Sequence, residues 1–260
     1  MITLKTPQEI EAIARAAVIL ARLFEAMPAE IRPGVSTGEL DRFADRFIRG
    51  FPGARPAFKG LYGFPRSVCI SVNEEVVHGI PNEKRVLKEG DLLSFDAGVR
   101  LEGWFADAAI TYPVGEIDDA ARRLLQVTRA AMLRGIALAA PGNRLGDVGH
   151  AVQKAAEDAG FSVVRDLVGH GIGRGPHEEP QVPNFGRPGR GLALEAGMVI
   201  CIEPMVNEGR AEVRTLPDRW TVVTADRRRS AHFEHTVAVQ ADGPTILTAL
   251  PGVDPAGGVG

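Results

Sequence analysis

Apolar residues in this chain recur with two different spacings. Ile10, Ile13, Ala17, Leu20 and Phe24 fall at helical intervals on one stripe, which predicts an outer helix packed by that face and starting at Thr6. Its start is signalled three ways: Thr6 caps, Pro7 fits the first turn, and Glu9 completes a capping box. The helical spacing returns over about 36–49, 119–139 and 144–159. Between these stretches lie runs that read as strands: Ser67–Val72, Asp91–Val99, Phe105–Tyr112, Met198–Pro204, Trp220–Thr224 and Ala231–Val239. Strands and helices mix without strict βαβ alternation, so the fold class is α+β.

The pattern is also duplicated. Pro33-Gly34-x-x-x-Gly38-Glu39-Leu40 recurs as Pro141-Gly142-x-x-x-Gly146-Asp147-Val148, 108 positions later. Leu87-x-x-Gly90 leading to Asp96 recurs as Leu194-x-x-Gly197 leading to Glu203, at an offset of 107 for the two carboxylates. His78-Gly79-Ile80 echoes His170-Gly171-Ile172, and the strand carrying Asp107 has a counterpart carrying Glu234. That last offset is 127, so the second half holds about 20 extra residues between Asn207 and Ser230. Order and offset together indicate two related halves, over about 31–112 and 139–240, inside one unit of residues 1–250. The Gly/Pro-rich end, 251–260, is expected to be disordered.

If the halves pack about a pseudo-twofold axis, Asp96 meets Glu203 and Asp107 meets Glu234 at the centre. Each stands in a strongly apolar strand, where an unpaired charge costs several kcal/mol. A lone Asp at a strand end usually caps a turn, but four carboxylates in symmetric positions call for cations. Carboxylates with one imidazole suit Mn²⁺, Fe²⁺ or Co²⁺, whereas structural zinc favours Cys and His. Two ions about 3.5–4 Å apart can share a water and present hydroxide to a carbonyl at neutral pH, which is a hydrolase arrangement.

The imidazole is His170 in Gly169-His170-Gly171-Ile172-Gly173, whose glycines are expected to let the loop backbone approach the site. His78 and His177, also in Gly/Pro-rich loops, are placed to contact substrate, at the scissile amide or a developing oxyanion. His150 and His232 read as surface or packing residues. His235 alternates away from Glu234 and is not a ligand.

Composition narrows the class. A formal charge of −3 lacks the basic excess needed for stable nucleic-acid binding. No leader pattern opens the chain and no apolar run approaches the roughly 20 residues that cross a bilayer, so a soluble, cytoplasmic protein without a membrane partner is expected. Cys69 and Cys201 are too few for a disulfide framework and read as free thiols.

Several segments together resemble the type I methionine aminopeptidases: Ser67–Glu74 with His78-Gly79-Ile80-Pro81, Gly169–Arg174 with His177-Glu178-Glu179-Pro180, Ile202-Glu203-Pro204-Met205, and Glu234-His235-Thr236. The resemblance runs from about Lys5 to Leu250, in the bacterial-like short form. It implies the pita-bread fold, with two pseudo-symmetric αβ halves around a metal site, and release of N-terminal methionine when the second residue is small. It implies two divalent ions drawn from Co, Mn, Fe and Zn: Asp96 chelates one, His170 and Glu203 bind the other, and Asp107 and Glu234 bridge both. It further implies catalytic roles for Glu203, which shuttles the proton of the attacking water, and for His78 and His177. The methionine pocket it implies is lined by Phe58, Leu61, Phe64, Cys69, Pro176 and Trp220. The partners it implies are N-termini of nascent polypeptides, met by a monomer in transient association with the ribosome.

Pro176 stands where many relatives carry a bulky apolar residue, and Leu61 and Phe64 where a Tyr is common, which puts fine selectivity in question. The rival readings are a proline-specific peptidase of the same fold, whose usual large N-terminal domain is not evident before Pro33, and a non-catalytic binding protein, which would lose metal ligands.

Overall fold

The computed structural model describes residues 2–249; the segment 251–260, expected to be disordered, lies outside the described residues. Four helices form where the spacing predicts them: α1 (Pro7–Glu30), α2 (Thr37–Arg49), α3 (Asp119–Ala137) and α4 (Leu145–Glu157). The capping box of α1 is complete, with Thr6 Oγ1 accepting from the Glu9 N–H and the Glu9 carboxylate accepting from the Thr6 N–H at 2.9 Å. Ser36 and Glu39 repeat it at α2. At α4 only half survives, because Arg144 has no side-chain acceptor; the Asp147 carboxylate takes the Arg144 N–H at 2.7 Å.

In chain order the strands are β1 (Arg55–Pro56), β2 (Cys69–Val72), β3 (Glu75–Val77), β4 (Leu92–Leu101), β5 (Trp104–Pro113), β6 (Ser162–Val163), β7 (Gly169–Gly171) and β8 (Glu178–Val182). They continue as β9 (Val199–Ile202), β10 (Met205–Asn207), β11 (Val213–Thr215), β12 (Val222–Thr224), β13 (Ser230–His232), β14 (Glu234–Gln240) and β15 (Gly243–Ile246). The main sheet runs β1-β4-β5-β14-β9-β7-β8, with β2 also on β4 and β15 also on β14. Its middle is the antiparallel junction of β5 with β14, at Ala109↔Glu234 and Ala108↔His235. Outward from that junction each half adds one antiparallel partner strand, ten-residue β4 or four-residue β9.

The halves are related in detail. The Gly38 N–H donates to Asn82 C=O, and 108 positions on the Gly146 N–H donates to Arg190 C=O. The isolated bridge Ser36↔Val86 recurs as Arg144↔Ala193. Gly90 and Gly197 both sit at positive φ, 88° and 96°, in the turn that launches β4 and β9, a conformation glycine enters without strain.

Strand alternation then separates two faces. Phe95, Ala97, Val99, Ala106 and Ala108 point into the core beneath α1 and α2, where Phe24 meets Phe95 edge-on at 5.5 Å. A second core joins α3 and α4 to Ile200, Ile202, Val237 and Val239. Asp96 and Asp107, one residue out of phase with the first set, face the opposite side.

The second-half strands differ from the sequence reading. The strand expected over Met198–Pro204 ends at Ile202 as β9, with a separate β10 starting at Met205 beyond Glu203-Pro204, and Ala231–Val239 breaks into β13 and β14 at Phe233. The breaks lie side by side: Ile202 pairs with His235 and Met205 with His232, leaving Glu203-Pro204 opposite Phe233-Glu234. Pro204 has no N–H to continue the ladder, so both strands turn there together. The inserted residues between Asn207 and Ser230 form β11 and β12, which join β3 in a separate three-stranded sheet.

Candidate active site

The face away from the helices holds a cavity of about 600 Å³. Asp96 from β4, Asp107 from β5, His170 from β7, Glu203 from the β9–β10 break and Glu234 from the start of β14 all line it. Ligand atoms of Asp96, Asp107 and Glu234 lie within 4.8 Å of one another, as do those of Asp107, His170 and His177. His170 Nε2 stands 3.4 Å from Glu203 Oε1. The four carboxylates and the imidazole expected at the centre therefore do meet.

His170 was expected in a loop opened toward the site by its glycines. It lies instead on a short strand, and Gly169 and Gly171 are required elsewhere: a Cβ at either would press into the carbonyl oxygen of Cys201 or Glu179 on the flanking strands. Close strand packing, rather than access to the site, explains them.

The electrostatics of this cluster are unbalanced. Asp96 Oδ1, Asp107 Oδ1, Glu203 Oε1 and Glu234 Oε1 are buried without a hydrogen-bond partner among the described residues. Burial, then the charge of Glu234, drives Asp96 and Glu203 far above the ordinary carboxylate range, and Asp107 follows for the same reasons. Burial pushes Glu234 up to about 7. His170 Nδ1 donates to its neighbour's carbonyl, Gly171 O, at 2.9 Å, so its Nε2 offers a lone pair toward a carboxylate oxygen. A ring nitrogen lone pair aimed at a carboxyl, within a cluster of four orphaned carboxyl oxygens, is the donor set of a divalent-cation site. Burial also lowers the imidazoles of His78 and His170 to about 4, keeping both neutral.

Around this floor the wall is apolar. Phe58, Phe64 and Cys69 form a buried cluster with Leu61 and Trp220 against it, and Phe64 meets Trp220 edge-on at 5.1 Å. His78, held at positive φ of 59°, and His177 also line it. His177 sits 4.5 Å from the His170 ring, edge-on, and stacks on Tyr62 at 5.8 Å.

Pro176 is the exception among the expected pocket residues: it is half-buried but does not line the cavity. The Gly173–Glu178 turn is pulled the other way, because the Glu178 carboxylate accepts from the Gly175 N–H and pairs with buried Lys5 at 2.7 Å, while Arg174 lies over Trp104. Of this turn, His177 and Glu178 line the cavity.

Sequence reasoning did not name every residue of the lining, and two of the omissions, Tyr62 and His232, carry aromatic rings toward the site. Tyr62, 73% exposed between glycines, carried no sequence signal. His232 did: it precedes Glu234 by two positions on an extended chain, so the alternation that turned His235 outward also turns His232 inward. It is 2% exposed and lines the cavity, so it is not a surface residue. His150 lies outside this cavity on α4, and His235 bonds Thr248 through Nδ1 at 2.8 Å.

The sequence profile of metallopeptidase family M24 matches residues 11–241. The chain belongs to that family. Within it the chain is 53% identical over 250 residues to the methionine aminopeptidase of Clostridium perfringens, covering 96% of this chain and all of that one. The crystal structure of a methionine aminopeptidase from Thermotoga maritima superposes with a TM-score of 0.94 at 45% identity, covering 96% of this chain and 100% of that one. The prolidase of Pyrococcus furiosus shares the fold alone, at 23% identity and a TM-score of 0.77, with 65% of its longer chain covered. The chain thus groups with the bacterial type I methionine aminopeptidases of the family, and its pita-bread fold carries a metal-dependent peptidase site. Among the described residues no helix is long and apolar enough to cross a membrane.

Proposed function

We propose that this chain hydrolyses the N-terminal methionine from nascent polypeptides and peptides whose second residue is small. The observation that carries the reading is the pairing of orphaned buried carboxylates with an apolar pocket in one cavity. Four carboxylates bring a formal charge that two divalent ions would balance, and the donor set suits Mn, Fe, Co or Zn. Asp96 would hold one ion, His170 and Glu203 the other, with Asp107 and Glu234 shared. Bound there, such ions lower the pKa of water and polarise a carbonyl, which supplies a nucleophile at neutral pH.

The protein's own groups do the rest. Phe58, Leu61, Phe64, Cys69 and Trp220 form a soft, deep slot for an unbranched thioether, whose sulfur packs well on aromatic rings. Glu203, at the strand break, takes the proton of the attacking water on its carboxylate and returns it to the departing amine. His78 and His177, neutral and at the wall, donate to the scissile carbonyl oxygen and orient the amide. With these rings and the floor of the site around the scissile bond, little space remains for a bulky second side chain. The substrates would be met in the cytoplasm by a monomer touching the ribosome only in passing.

The test uses chelator-stripped protein titrated with Mn²⁺ or Co²⁺ and assayed on Met-Ala-Ser, Met-Leu and an X-Pro dipeptide. Metal-dependent release of methionine from the first alone is expected. Cleavage of X-Pro in preference, or metal binding without turnover, overturns the reading.

A further inference from the structure

His232 is the most buried imidazole facing the cavity, and among the described residues neither of its ring nitrogens has a hydrogen-bond partner. A buried donor or acceptor left unmade is costly, so an unpartnered side chain aimed into a site points to a task there. Its backbone cannot drift. The His232 N–H donates to Thr111 Oγ1 at 2.8 Å, the Thr111 hydroxyl donates back to His232 C=O at 2.8 Å, and Ser94 braces that hydroxyl from behind. Register pairing with Met205 fixes the other edge.

From this anchorage His232 Nε2 reaches to 3.8 Å from Glu203 Oε2, while His170 Nε2 stands 3.4 Å from Glu203 Oε1. The two imidazoles bracket one carboxylate, but they are not equivalent. His170 spends its proton on Gly171 C=O through Nδ1, so its Nε2 cannot donate. His232 Nδ1 makes no such bond, and a neutral imidazole is then free to carry its proton on Nε2. A small rotation closes the remaining gap to hydrogen-bond distance.

We propose that His232 is a positioning residue for Glu203: it donates from Nε2 to Oε2 and so leaves Oε1 as the oxygen turned toward His170 and the reacting water. The inference rests on the reading of Glu203 as proton carrier. It assigns the asymmetry of that carboxylate to a residue outside the ligand set, and it explains why β13 is tied so firmly to β5 at this point.

The experiment compares wild type, His232→Leu, His232→Gln, Glu203→Gln and the double variant Glu203→Gln/His232→Leu, each assayed for kcat and KM on Met-Ala-Ser and for Mn²⁺ binding to the metal-free protein by calorimetry. His232→Leu should lose about 10–100-fold in kcat with KM little changed and the number of Mn²⁺ ions bound unaltered. His232→Gln, whose amide can also donate, should recover most of that loss. The leucine change should add nothing in the Glu203→Gln background, since the group it positions is gone. Where the leucine variant fails to fold, His232→Asn, too short to span the gap, replaces it. An unimpaired His232→Leu, a glutamine variant as poor as leucine, or additive losses in the double variant overturn the role of His232 alone. A Glu203→Gln enzyme as active as wild type overturns the reading of Glu203, and this inference with it.

Discussion

The two halves begin from one plan and diverge at one place. In the first, β4 and β5 pair without interruption from Leu92↔Pro113 to Leu101↔Trp104 and close in a hairpin whose Glu102 and Gly103 both take positive φ. In the second, the equivalent pair runs from Ala238↔Val199 to His235↔Ile202, parts around Glu203-Pro204 and Phe233-Glu234, and resumes as Met205↔His232. The tight hairpin is replaced by β11, β12 and Trp220 on the cavity wall. An unbroken ladder gives the first half two rigidly placed carboxylates, Asp96 and Asp107. The broken ladder gives the second half Glu203, Glu234 and His232 at one bend, while Trp220 from its insertion joins Phe58, Leu61, Phe64 and Cys69 of the first half on the pocket wall. Both halves line the cavity, and the interruption of one sets three of its polar groups at a single bend.

The largest effect should come from cutting the link between the halves. Asp107→Asn or Glu234→Gln removes a carboxylate that either half shares, and each should lose metal and at least about 10³-fold in kcat, since ions at such sites contribute several kcal/mol to the barrier. Metal analysis of the purified variants paired with turnover checks this; near-normal activity with full metal content breaks the dinuclear assignment.

Next come His78 and His177, which stand one on each half. Replacing either by Ala should leave metal bound while slowing turnover by roughly 10²–10⁴-fold. A variant that purifies without metal would move that histidine from the substrate to the ions.

The pH dependence of stability sharpens the same picture. In metal-free protein Asp96, Asp107 and Glu203 titrate well above their usual range and Glu234 near about 7, all raised by burial. The folded state then holds protons that the unfolded chain has already released, so this contribution to stability is lost as pH rises through the folded values. The buried histidines act oppositely: His78, His170 and His235 fall to about 4 and His232 to about 3, which costs stability only below their unfolded value near 6.5. Above that value the carboxylates alone remain, so metal-free protein should lose stability between about pH 6.5 and 8. Ions displace those protons, and the rise in Tm on adding Mn²⁺ should be larger at the upper end of that window. Thermal melts at both ends decide it, and an equal or smaller rise at high pH contradicts it.

The smallest effect separates the matching turns. Gly90→Ala and Gly197→Ala both force alanine to positive φ, at about 1–2 kcal/mol. At Gly90 the nearest atom to a Cβ is Glu116 O at 3.8 Å, whereas at Gly197 it is Lys5 O at 2.9 Å. Gly197→Ala should be the more destabilising in denaturant unfolding, and equal midpoints would mean that the N-terminal segment yields freely.

What the sequence determined by itself was everything that depends on neighbours along the chain. Thr6 and Ser36 cap because the acceptor and the N–H lie three residues apart. Asp96 and Asp107 face away from the helices because their flanking residues alternate into the core. The duplication exposed the four carboxylates because related segments fold alike. The tertiary structure decided what hangs on contacts between distant residues. His170 became a strand residue because Cys201 and Glu179 pack against its glycines, Pro176 left the pocket because Lys5 holds Glu178, and His232 was locked toward Glu203 by Thr111, 121 positions away. Local periodicity records which face of an element is buried; which buried group then meets which is settled only when the elements are in place.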